Sequence, residues 1–91
     1  MSDTVENIFA SYASQGTLED AATWMAKLTR NHPELAGDFI NALQAGIAAA
    51  SKGDRSVIKA VNAGGQQVST TEEASQRCLE LLTLYSKKLR G

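Results

Sequence analysis

Almost every apolar stripe in this 91-residue chain is opened by a residue that caps helices and closed by a glycine or a cluster of bases. Such punctuation restricts the chain to several short helices, because capping side chains satisfy the free N–H groups of a first turn and glycine closes a last one. Val5, Ile8, Phe9 and Tyr12 follow the i, i+3, i+4, i+7 rule, with Asp3 and Glu6 in capping-box spacing, and Gly16 is placed to end the helix in the left-handed conformation. Thr17-Leu18-Glu19-Asp20 opens a second helix with Leu18, Ala21, Ala22, Met25 and Leu28 on one face and Trp24 beside it. Asn31-His32-Pro33 restarts the pattern, since proline fits a first turn and Asn31 or His32 can cap it. The third stripe runs from Ala36 through Phe39, Ile40, Leu43 and Ile47 to Ala50, with Gly53 as terminator and Gly37 and Gly46 as places where another backbone approaches.

Residues 54–70 admit two readings. As a helix, Asp54 is the cap, Val57, Ile58 and Val61 point inward, and Gly64-Gly65 is the stop. As a hairpin over about 56–70, Gly64-Gly65 is the turn and Val61 faces Val68. Beyond it, Ser69, Thr70 and Thr71 before Glu72 and Glu73, and Lys87, Lys88 and Arg90 at the far end, delimit a final helix. Its stripe is Ala74, Cys78, Leu81, Leu82, Tyr85 and Leu89, with Leu79 and Leu84 on opposite flanks, so its apolar arc exceeds half the circumference. The fold class predicted is all-α, a single domain over 1–91 of four or five short helices with the C-terminal helix central; the hairpin reading makes it α+β. Few aromatics (5%) and abundant alanine favour closely packed helices over a sheet.

Chemistry-bearing residues are scarce: one histidine, one cysteine and one proline. Cys78 lies mid-stripe, where a free thiol is buried and inert, and His32 sits at a helix start without a second ligand. Glu19-Asp20 and Glu72-Glu73 are neighbours that diverge by about 100° on a helix, unsuited to a matched acid and base but suited to a first turn. Gly64-Gly65 lacks the Lys-Ser/Thr ending of a phosphate loop. We therefore expect no enzyme, no cofactor and no metal. A lone cysteine, no apolar leader and no long apolar run point to a cytoplasmic protein with no membrane partner.

Charge is uneven. Residues 1–50 carry six carboxylates against Lys27 and Arg30 (net −4), and residues 51–91 carry seven bases against four acids (net +3). Acidic and basic helices facing each other within one chain explain this. The function expected is protein binding as a regulator, inhibitor or adaptor, with the chain itself as partner: a homo-oligomer, a homodimer in its simplest form, through the over-wide C-terminal helix. Its candidate interface residues are Tyr12, Trp24, Leu79, Leu84 and Tyr85, since aromatics dominate interaction hot spots. A rival is nucleic-acid binding through Lys52, Arg55 and Lys59, supplemented by residues 87–90. The order of the third helix, a Val61 to Val68 hairpin around Gly64-Gly65, and the last helix resembles the helix, hairpin, helix layout of small phage head-tail joining proteins. The likeness covers the second half of the chain and departs in the spacing from turn to last helix; it implies a phage or virion structural role.

Overall fold

The computed structural model describes residues 4–14 and 16–90. Helix α1 (Val5–Ile8) continues into a π-helical turn over Phe9–Ala13, followed by α2 (Leu18–Asn31), α3 (Leu35–Ser51), α4 (Ser56–Asn62) and α5 (Thr71–Arg90). No strand occurs among the described residues, so the fold is an all-α bundle. Its radius of gyration is 11.9 Å, against about 12 Å for a compact globule of this length.

Local chemistry accounts for the helix ends. Thr17 and Asp20 form a capping box: the Asp20 amide donates to Thr17 Oγ1 at 3.1 Å and the Thr17 amide to Asp20 Oδ2 at 3.3 Å. Thr70 Oγ1 accepts from the Glu73 amide at 3.1 Å, and Glu73 Oε1 reaches back to the Ser69 amide at 3.3 Å. Gly53 and Gly65 adopt φ of 81° and 83°, the left-handed conformation that ends α3 and the turn after α4.

Three expected ends differ. Thr4 caps α1, accepting from the Asn7 amide at 3.2 Å, while Asp3 lies outside the described residues. Gly16 is not left-handed; its missing side chain leaves room for the Asp20 carboxylate, 2.6 Å from where a Cβ would stand. Asn31 belongs to the end of α2, and α3 starts without a side-chain cap. The turn through Pro33 is closed instead by the backbone, Leu35 N–H donating to the His32 carbonyl at 2.9 Å.

The hairpin reading of 56–70 is overturned: α4 occupies Ser56–Asn62 and residues 66–70 form no strand. Asn62, the last residue of α4, ties this segment back to the helix. Its amide donates to the Val68 carbonyl at 3.1 Å and accepts from the Val68 amide at 2.9 Å, so one side chain makes the two bonds a partner strand would make. The helix, hairpin, helix order that carried the likeness to phage joining proteins is accordingly not formed.

Helix α5 is the centre of the bundle, lying along both α2 and α3 and touching α4. Ala74, Cys78, Leu81 and Tyr85 on α5, with Met25, Phe39, Leu43 and Val61 from its neighbours, are buried in one cluster. Close approach is specific. A Cβ at Gly46 would strike the Val5 and Cys78 side chains, and one at Gly64 the backbone of Phe9, whereas Gly37 faces open space and shows no such approach.

Candidate binding surface

Four of the five aromatic residues form one chain of rings from the middle of the bundle to its surface. Tyr85 and Phe39 meet edge-to-face at 5.6 Å, Phe39 and Tyr12 at 5.7 Å, and Tyr12 and Trp24 at a tilted 6.3 Å. Offset and edge-on geometries of this kind suit the ring quadrupoles. The stack is graded in exposure: Tyr85 and Phe39 are fully buried, Tyr12 is half-buried, and Trp24 is 53% exposed.

The inner end is closed by a hydrogen bond that the sequence did not signal as functional. Thr29 Oγ1 donates its single proton to the Met25 carbonyl at 2.8 Å, so the Tyr85 hydroxyl, 2.6 Å from that oxygen, is the donor to Thr29. Thr29 falls in register with Leu18, Ala22 and Met25 on the buried stripe of α2, which is the only trace it leaves in the sequence. Burial raises the Tyr85 hydroxyl pKa and the bond to Thr29 works against that rise. Tyr85 therefore faces the core of its own chain, and its expected place in a partner interface is corrected.

At the outer end, the rim of Trp24 opens on a depression of about 440 Å³ lined by Asp20, Thr23, Trp24, Lys27, Leu28 and Asn31. These residues share one side of α2 because they recur at intervals of three and four. His32, at the end of α2, does not line it; its ring lies 3.7 Å from Glu34, both exposed.

The flanks of α5 part company. Leu79 is 55% exposed, whereas Leu84 is half-buried against the core beside Thr17 and Leu18. Leu82 and Leu89 are also half-buried, so neighbours within the chain cover most of the wide apolar arc.

Charge is used partly within the chain. Lys88 pairs with Glu19 at 3.4 Å, and Arg30 Nη2 donates to the Lys88 carbonyl at 2.8 Å, fastening the basic end of α5 to acidic α2. Lys52, Arg55 and Lys59 are all exposed, and no ion pair among the described residues involves them. Asp54, which lies among them in sequence, accepts from the Ser56 amide and hydroxyl at 3.0 and 2.7 Å; these bonds hold its carboxyl below its usual pKa.

Cys78 is wholly buried, and desolvation pushes its thiol up to about 11. A thiol so protonated is a poor nucleophile near neutrality. No group of three or more His, Cys, Asp or Glu side chains among the described residues is arranged to hold a metal ion, and no described helix is long and apolar enough to cross a membrane. No protein-family model, curated protein or solved structure matches this chain.

Proposed function

We propose that this chain is a non-catalytic protein-binding module whose working surface is the outer side of α2, centred on Trp24 and backed by Tyr12. The observation that carries the reading is the half-exposed tryptophan at the end of a ring stack whose inner members, Phe39 and Tyr85, are fully buried. A large amphipathic ring held by packing loses little conformational freedom when a partner covers it, which is the character of an interaction hot spot. The depression beside it supplies the concave rim, with Asp20 and Lys27 as polar guides. The expectation of an interface on α5 now rests on Leu79 alone, because Leu84 is half-buried and Tyr85 fully so.

The test compares native co-purification of the unaltered chain, Trp24→Ala and Leu79→Ala, with captured proteins identified by mass spectrometry. Loss of a bound protein in Trp24→Ala and its retention in Leu79→Ala is the expected result. Equal capture by all three, or loss in Leu79→Ala alone, overturns the placement on α2.

A second reading has its own observation: Lys52, Arg55 and Lys59 stay exposed and unpaired while Lys88 is engaged with Glu19. Three free cations support contact with a phosphate backbone, whose hallmark is an affinity that falls steeply with salt. Retention on nucleic acid at low salt, abolished by neutralising all three, supports it; no retention at low salt ends it.

A further inference from the structure

The outer side of α2 carries charges in a self-complementary order. Asp20 lies four residues before Trp24 and Lys27 three after it, all on the rim of the same depression. Rotation by a two-fold axis between residues 23 and 24 exchanges positions 20 and 27 and sets 23 against 24. Two α2 helices placed antiparallel about that axis therefore bring Asp20 of each copy to Lys27 of the other, twice, with the two tryptophans between them. This is the pattern of an isologous interface, in which one patch serves as its own partner. Lys27 makes no ion pair among the described residues, and Asp20, whose Oδ2 accepts from the Thr17 amide in the capping box, makes no ion pair among them either.

Resting on the reading of this flank as a protein-binding surface, we infer that its occupant is a second copy of this chain, docked antiparallel through α2. Antiparallel docking also opposes the two helix dipoles. A contact made by one helix from each copy is smaller than the roughly 1,200 Å² at the low end of stable interfaces. The dimer is thus weak, forming in the high-micromolar range, and sensitive to salt because both ion pairs lie at its exposed edge.

Sedimentation equilibrium at low salt, read together with fluorescence from the chain's one tryptophan, tests this. The unaltered chain shows a monomer-dimer equilibrium, and its emission shifts to the blue as concentration rises. Lys27→Glu and Asp20→Lys each weaken association by about tenfold or more, Lys27→Arg retains it, and an equimolar mixture of Lys27→Glu and Asp20→Lys restores it, since each copy then meets its opposite charge. Thr17 still caps the amide of residue 20 in Asp20→Lys, and circular dichroism checks that the variant is helical. If it does not fold, the contrast of Lys27→Glu with Lys27→Arg decides alone: equal dimerisation by the two overturns the inference. A chain that stays monomeric up to millimolar concentration overturns it, as does a mixture that fails to associate, or a dimer lost in Leu79→Ala but not in Trp24→Ala. If self-association fails while capture of another protein still depends on Trp24, the partner is a different molecule and the binding-module reading stands.

Discussion

Trp24 and Tyr85 occupy opposite ends of one stack of rings, and their surroundings are opposite in kind. Tyr85 has every polar and apolar need met inside the chain: Phe39 against its ring, Thr29 on its hydroxyl, no exposed surface. Trp24 has Tyr12 on one side and solvent on the other. The comparison teaches that a ring stack in a chain with few aromatics can serve two ends at once, stability at the buried pole and recognition at the exposed one. Substitutions along it should sort accordingly.

The largest effect belongs to Phe39, which links the poles. Phe39→Ala empties a fully buried site between Tyr12 and Tyr85 and should cost about 4 kcal/mol of unfolding free energy, as large-to-small core changes do. Thermal denaturation measures the loss. Where the variant remains folded, Trp24 emission should also move toward that of a solvated indole, because Tyr12 loses its inner support. An unchanged emission would break the idea that the inner pole holds the outer one.

Alkaline pH probes the buried interior, where Cys78 lies in the same core cluster as Phe39 and Tyr85. The Cys78 thiol ionises near 9.0 in the unfolded chain and near 11 when folded. A raised pKa means that the folded chain keeps its proton longer, so the stabilisation is complete below pH 9 and is lost as pH rises toward 11. The slope is about 1.4 kcal/mol per pH unit across that window. Tyr85, also raised by burial, adds to the decline at the upper end. Urea unfolding at successive pH values should show this slope, and Cys78→Ala should flatten its lower part.

How far all this was legible in the sequence depends on the residue. Helix ends set by local bonds could be read: Thr17 with Asp20, Thr70 with Glu73, Gly53 and Gly65. The π turn over Phe9–Ala13 could not, because its apolar spacing also fits an ordinary helix. Nor could the fates of Leu79 and Leu84, which flank one stripe symmetrically although only Leu84 packs against the core cluster. Tyr85 was misplaced for the same reason: periodicity puts it on the α5 stripe but cannot say that Thr29 waits opposite. Residues 54–70 are the converse case: Gly64-Gly65 suits a helix stop and a hairpin turn alike, and periodicity cannot say that the Asn62 side chain bonds Val68 where a paired strand would.

A smaller pair of effects decides whether the two poles differ as claimed. Tyr85→Phe keeps the ring and removes only the hydroxyl; Thr29 retains its bond to the Met25 carbonyl, so no buried group is orphaned. The cost should be about 1 kcal/mol, that of one net hydrogen bond. Trp24→Ala removes a larger ring than Phe39→Ala yet should cost less, about 2 kcal/mol at about 25 cal/mol per Å² of the surface still covered. Half of the ring already lies in solvent in the folded chain, so only the covered half, which includes the contact with Tyr12, is forfeited. Alanine also favours the helical state over tryptophan by a few tenths of a kcal/mol, which offsets part of that loss. Urea unfolding of Trp24→Ala beside Phe39→Ala should therefore rank the deletion of the larger ring below that of the smaller one. The opposite ranking would make Trp24 a member of the core and remove the reason for regarding the outer side of α2 as a surface kept open for a partner.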